Sequence, residues 1–382
     1  MQYQNNKLKL ALAIVAIGLP VAAQADATIY GFVSGGIESA KATGNGSSEY
    51  KSTTRVVDNN SRIGFKGNED LGNGLKAIWQ VESSLRNFEQ GGTNDKGQNA
   101  VLATRNTFVG LQDNRWGTFQ LGNYDSAYKR LTEVGLNVLG DTVADQTGGG
   151  AVVYSRRFAR LANSVHYTSP LWSGLLLGIS YGLDEMRPVA SNGTRQNDDR
   201  LDVAANYSNG GLQLGIGYDR EGDKLNASAS ADGQQHVDGF KLATSYTFAT
   251  SNMLIGAGIE RVKVHYNGNP DTTQNDWLIA LSQPITHALT LKAGYAMLGK
   301  LNGAAVGNPD DYKAKQWLAG VTYGLSKRTQ LYAYGTRIHN NRQQNTNFPN
   351  NPVFSSGMGT SAAALAKGDN PQAIGIGMKT VF

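Results

Sequence analysis

The 382-residue sequence contains no cysteine, so neither a disulfide framework nor a thiolate metal site is available to it. It has no strong excess of one charge. Thirty-five basic against 30 acidic residues leave a formal +5, too even a balance for a nucleic-acid binder with its basic residues clustered on one face. Beyond residue 25 no apolar run reaches the roughly 18 residues of a membrane-spanning helix, which excludes helical spans. Catalytic motifs are missing too. There is no GxSxG elbow and no GxGxxG loop, and Leu301 stands where a phosphate loop built on Gly294, Gly299 and Lys300 would need Ser or Thr. The five histidines (His166, His236, His265, His287, His339) include no pair at metal-ligand spacing along the chain, so no metal or other cofactor is expected.

The N-terminus has the order of a secretory signal peptide. Lys7 and Lys9 precede an apolar run over 10–19, and Ala22-Ala23-Gln24-Ala25 closes it, which predicts cleavage after Ala25 and a single domain over 26–382. The competing reading is a buried helix of a cytosolic protein. Export without a membrane helix leaves a soluble secreted protein or a β-barrel. Forty-seven glycines and 17 tyrosines with only nine prolines suit the barrel, which needs many strands, tight turns and interfacial aromatics.

The strongest pattern has a period of two. Phe240, Leu242, Thr244, Tyr246 and Phe248 alternate with Lys241, Ala243, Ser245 and Thr247, and Leu289, Leu291, Ala293, Tyr295 and Met297 alternate with Thr290, Lys292, Gly294 and Ala296. Successive side chains of a strand point to opposite faces, so each segment has one apolar and one polar side. A β-sandwich would show the same alternation with its apolar side inward. Two features favour a membrane barrel instead. Apolar rows end in tyrosine at Tyr181, Tyr207, Tyr218 and Tyr323, as an interface requires. The connections also alternate in length: 208–211, 249–252 and 324–327 are short, whereas 184–199, 220–237, 298–312 and 339–371 are long and polar.

Sixteen candidate strands begin near Thr28, Thr53, Leu75, Asn99, Gly117, Asn163, Gly174, Arg200, Leu212, Asp238, Met253, Asn275, Leu289, Lys313, Thr329 and Gln372. The expected fold is all-β: a 16-stranded antiparallel transmembrane β-barrel with short periplasmic turns and long extracellular loops. The fourth strand is poorly patterned, because Arg105 shares parity with Thr107, Val109 and Leu111. Residues 361–366 read as one helical turn in a surface loop or as disorder. The segment 126–162 mixes Glu133, Asp141 and Asp145 with Leu131, Val134, Leu136, Val138 and Leu139. So many aliphatics predict a loop folded back against the inner wall rather than a membrane-proximal extracellular one.

Several motifs carry a resemblance: Ala27-Thr28-Ile29-Tyr30-Gly31, Ser61-Arg62-Ile63-Gly64-Phe65-Lys66-Gly67 followed by Glu69-Asp70-Leu71-Gly72-Asn73-Gly74-Leu75, and Arg105-Asn106-Thr107-Phe108-Val109-Gly110-Leu111. Others are Gly117-Thr118-Phe119, Asn163-Ser164-Val165-His166-Tyr167, Leu325-Ser326-Lys327-Arg328-Thr329 and a terminal Phe382. Their order and spacing resemble the Gram-negative general diffusion porins, in particular the betaproteobacterial, neisserial-type branch, over essentially the whole mature chain. The resemblance implies an outer-membrane homotrimer whose third loop narrows each water-filled pore for ions and small hydrophilic solutes. It also implies that the barrel-insertion machinery reads Phe382. By the family's pattern, Arg62 and Arg105 belong to a basic cluster on the wall, with Arg160 as a third member and Arg157 as its rival. Glu133, Asp141 and Asp145 would oppose them from the loop. The competing reading of each arginine is a structural salt bridge.

Parity places Arg62, Lys66, Lys76, Arg105, Arg160, Lys241, Lys292 and Lys379 inward, eight basic groups in all. Glu82, Asp202, Asp219 and Glu260 with the three loop acids make seven, which predicts a mild anion preference. A substrate-specific channel would need a defined track of pore-facing groups, and an outer-membrane hydrolase or adhesin would conduct no ions.

Overall fold

The computed structural model describes residues 26–382 apart from 45–48, 86–101, 149–151, 186–188, 190–192, 194, 196, 223–235, 267–269, 304–306 and 355–364. Residues 1–25, with the expected signal peptide, lie outside the described residues, as does most of the helical turn expected at 361–366. Seventeen strand segments form one antiparallel sheet: β1 (Asp26–Thr43), β2 (Tyr50–Asp58), β3 (Arg62–Gly72), β4 (Leu75–Ser84), β5 (Thr107–Asp113), β6 (Gly117–Asp125), β7 (Arg160–Thr168), β8 (Leu175–Gly182), β9 (Arg200–Asn209), β10 (Leu212–Glu221), β11 (His236–Thr247), β12 (Leu254–His265), β13 (Thr272–Pro284), β14 (Leu289–Leu298), β15 (Ala314–Gly324), β16 (Thr329–Asn340) and β17 (Asn370–Val381). The ladder between β1 and β17, running from Phe32↔Val381 to Thr43↔Asn370, closes the sheet on itself. β2 and β3 are two halves of one crossing, both paired to β1, so the barrel has sixteen strands. Closure leaves no sheet edge for lipid to strand without hydrogen bonds.

The apolar rows face outward. In β11, Phe240, Leu242 and Tyr246 are exposed while Lys241, Ala243 and Ser245 are buried, and in β17 Ile374 and Ile376 reach 73% and 63% exposure. An apolar belt continuous around the barrel has no stable place in water, and it matches a bilayer. The sandwich alternative, which needs these rows inside, is thereby excluded.

The fourth crossing corrects an expectation. It begins at Thr107 rather than near Asn99, so Arg105 precedes the strand and turns inward despite sharing parity with the outward Val109 and Leu111. The irregular residues 102–106 break the alternation that parity arguments require.

The break between β2 and β3 places side chains in the lumen. Asn60 adopts a left-handed φ of 60°, a conformation asparagine tolerates better than most residues. The freed backbone groups find partners on β1: Asn59 N donates to Ser34 O (2.8 Å), and Ser34 N donates to Ser61 Oγ (2.9 Å). The chain therefore bends without orphaned polar groups, aiming Asn60 and Arg62 at the interior.

Candidate functional site

The third loop, between β6 and β7, lies inside the barrel. It starts with helix α1 (Ala127–Thr132), capped by Ser126 Oγ, which accepts from Lys129 N (3.2 Å). Val134, Leu136, Val138, Leu139 and Val143 are all buried, packed on the inner wall with residues such as Leu278, Leu318 and Ile338, and Leu131 is buried against Ala204 and Leu176. Each such side chain contributes about 1.5–3 kcal/mol, so the loop is seated on the wall and does not hang in the pore. Glycines in the wall allow the close approach: a Cβ on Gly215 would stand 2.6 Å from the Leu131 carbonyl oxygen, and one on Gly256 2.4 Å from Leu136 Cδ2. The expectation of an in-folded loop holds for the reason the aliphatics suggested.

The loop tip crosses to the far wall. Asp141 accepts from Arg62 Nη2 (2.5 Å), Lys379 Nζ (3.1 Å) and Asn60 Nδ2 (2.9 Å). Phe32 lies between the two cations, its ring centroid 4.6 Å from Arg62 Cζ and 3.7 Å from Lys379 Nζ. Burial would raise the Asp141 carboxyl, but the Arg62 and Lys379 charges outweigh it and hold the group below its ordinary value. Asn60 joins this contact to the next, since its Oδ1 accepts from Arg105 Nη1 (3.3 Å). Arg105 in turn bonds Glu82 (2.7 Å), whose other oxygen accepts from Tyr30 (3.0 Å). Farther round the wall, Arg160 contacts Asp125 (3.2 Å) and Asn106 Oδ1 (2.8 Å), and Lys129 holds the same Asp125 (2.9 Å). The arrangement is a cluster of cations on one wall, met by a carboxylate that the loop tip brings into contact with them.

A family model described as Gram-negative porin matches residues 11–343. The major outer membrane protein P.IB of Neisseria meningitidis serogroup B is 30% identical over 328 residues, covering 84% of this chain and 90% of that protein. An outer membrane porin protein of Bordetella pertussis is 28% identical, covering 87% of this chain and 94% of its own length. The chain belongs to the Gram-negative porin family. Among solved structures, an anion-selective porin from Comamonas acidovorans superposes with a TM-score of 0.69 at 20% identity, covering 94% of this porin and 100% of that chain. The protein is thus an outer-membrane porin, a water-filled diffusion channel for small hydrophilic solutes.

The porin's structure separates the residues expected at the constriction. Arg62, Asp141 and Lys379 come together, with Arg105 and Glu82 linked to them through Asn60. Arg160 lies near Arg105 by way of Asn106, which follows Arg105 in the chain. Arg157 does not belong with them. It binds Asp219 and Glu221 (2.8 Å) beneath the returning limb of the loop. Asp145 is also misplaced as an opposing acid, because its oxygens accept from Thr147 N (2.7 Å), Asn137 Nδ2 and Asp141 N within the loop. Glu133 accepts from Asn137 N (3.3 Å), and burial raises its carboxyl despite the attraction of Lys241.

Several inward charges are sealed rather than lumenal. Lys241 is fully buried, bonded to Ser155 and enclosed by Tyr154 and Phe158, with ring centroids at 4.4 and 3.8 Å. Asp202, Asp219 and Glu260 are fully buried too. Glu260 accepts from Tyr128 (2.8 Å) and from Arg156 N (2.7 Å), and Arg156 also pairs with Asp276 (2.9 Å). These wall acids clamp the loop. Lys66 and Lys76 remain exposed and Lys292 half-buried. Phe382 is 43% exposed, and its N donates to Gly31 O (3.1 Å) where the chain ends meet.

Asn60 and Arg156 were missed by the sequence reading. The signal for Asn60 was its place in the Asn59-Asn60-Ser61 run, since Asn and Ser favour turns. The signal for Arg156 was its adjacency to Arg157. His236 and His265 also meet, directly paired across β11 and β12 with rings stacked at 4.0 Å. Their spacing along the chain hid this contact.

Proposed function

We propose that the porin is a weakly anion-preferring general channel whose constriction is lined by Arg62, Arg105, Arg160 and Lys379 on the wall and by the Asp141 loop tip. The observation that carries this reading is the Asp141 carboxylate, which the third loop carries into contact with Arg62 and Lys379 on the wall, beside further cations. Of the eight basic and seven acidic inward groups, burial withdraws Lys241 on one side. It withdraws Asp202, Asp219 and Glu260 on the other, and Asp145 is bonded within the loop. Of those groups seven cations and three acids remain, two of them the buried pair Arg105 and Glu82, and Asp125 adds a further carboxylate against Arg160. Opposed charges across a narrow pore set up a transverse field, and their excess biases the ions that pass. The Comamonas porin of like fold is itself described as anion-selective. Reversal potentials in planar bilayers under a salt gradient test the reading: the expected sign is that of anion preference, and a cation-preferring channel refutes it. The channel is read as general and as having no catalytic step. A single outlying sugar in liposome swelling would favour a substrate-specific channel, and a protein without conductance would favour a hydrolase or adhesin.

The mature barrel over 26–382 is further read as a homotrimer, as a Vibrio cholerae relative in fold is described in one form. An outward apolar groove lined by Val33, Ile37, Val56, Leu331, Ile376 and Met378 supports that association. Gel mobility before and after boiling tests it. Phe382 is read as the assembly signal for the barrel-insertion machinery, so its deletion should lower outer-membrane yield without preventing refolding in detergent.

A further inference from the structure

We infer that the porin carries a divalent transition-metal site of the zinc class on its outer face, at the long-loop rim between β11 and β12. His236, Asp238 and His265 would supply three ligands. His236 and His265 are register partners, and Asp238 lies two residues along the same face of β11. Asp238 Oδ2 is 3.6 Å from His236 Nε2 and 3.0 Å from His265 Nε2, and the candidate ligand atoms of the three residues all lie within 4.8 Å of one another. Zinc bonds of about 2.0–2.2 Å in tetrahedral geometry put neighbouring donor atoms about 3.3 Å apart, between those two distances.

The surrounding groups orient the donors as an outer ligand shell does. His265 Nδ1 lies 3.0 Å from Asp271 Oδ2, so donating its proton there leaves Nε2 free to bind a metal. Tyr218 donates to Asp238 Oδ1 (2.8 Å), which leaves Oδ2 turned to the imidazoles. Lys263 is 3.0 Å from Asp271, so a carboxylate already matches its charge, and Arg220, the register partner of Asp238 on β10, is a second cation beside the site. Three protein ligands leave one position open toward the outside, for water or an oxygen donor. Two imidazoles and one carboxylate select zinc, cobalt, nickel or copper over calcium and magnesium, which prefer all-oxygen shells. Neither pore conduction nor the loop clamp uses these residues.

The test uses the full porin, stripped of metal with chelator and folded in detergent. Zinc titration by calorimetry should show one saturable site per chain that calcium and magnesium do not compete for. His236→Ala and His265→Ala should each remove it. Asp271→Asn, which alters only the orienting partner, should weaken it about 10- to 100-fold with stoichiometry unchanged. His287→Ala, in the turn at the opposite rim, should bind as the parent does. Zinc binding that survives both histidine substitutions, or no saturable binding at all, overturns the proposal. Cobalt added to the parent protein gives a readout independent of variant folding: an intense tetrahedral visible spectrum supports the site, and a weak octahedral one overturns it.

Discussion

Asp141→Asn isolates the charge at the loop tip from its geometry. The amide keeps one oxygen to accept from Asn60 or Arg62, so the tip should stay against the wall, while Arg62 and Lys379 lose their counter-charge. The carboxylate is 23% exposed and therefore adjoins the water through which ions pass. A monovalent ion passing about 5 Å away interacts by about 332/(80 × 5), or about 0.8 kcal/mol, screened to about 0.5 kcal/mol by a Debye length of about 10 Å at 0.1 M salt. The sign reverses between anion and cation, so removing the charge changes their relative permeability by about 1 kcal/mol, roughly fivefold in favour of the anion. Planar-bilayer reversal potentials under a tenfold salt gradient should move by a few tens of millivolts toward the anion value, with single-channel conductance little altered. An unchanged potential, or a shift toward the cation, would refute the placement of Asp141 at the constriction.

Removing the opposing cations should act the other way: Arg62→Ala combined with Arg105→Ala should lower anion preference in the same assay. Gly215→Val should force α1 off the wall, since the new side chain meets the backbone of Leu131 and Thr132, and conductance and the largest sugar admitted in liposome swelling should change together. Lys241→Met should leave selectivity unchanged, because the ammonium is sealed beneath the loop, yet lower the unfolding temperature. It removes the charge facing Glu260 across the β11–β12 ladder and the donor to Ser155, while Glu260 keeps its bonds from Tyr128 and Arg156 N, at a cost of about 1–3 kcal/mol. Glu133 is raised by burial and Asp141 is held low, so acidification should protonate Glu133 first and increase anion preference while Asp141 stays ionised. Glu133→Gln should abolish that step in reversal potentials measured against pH.

The amino-acid sequence alone determined the strands, the rhythm of short and long connections, and which face of each strand is apolar. Every one of these is a local consequence of two-residue periodicity and turn chemistry. It also disclosed the in-folded loop, because aliphatics such as Leu136 and Leu139 have no stable place on an exposed one. The pattern failed at Arg105, where an irregular stretch precedes β5 and alternation stops reporting direction.

The tertiary structure alone decided which inward charges meet solvent. Lys241 and Lys292 have the same parity in their strands, yet one is sealed under Tyr154 and Phe158 while the other stays half-exposed. Parity names the side of the sheet, and the route of the third loop decides what covers it. That route depends on contacts between residues far apart in the chain, such as Asp141 with Lys379, and on a hairpin register that brings His236 beside His265. No local pattern encodes such meetings, because strand register and the seating of the third loop create them.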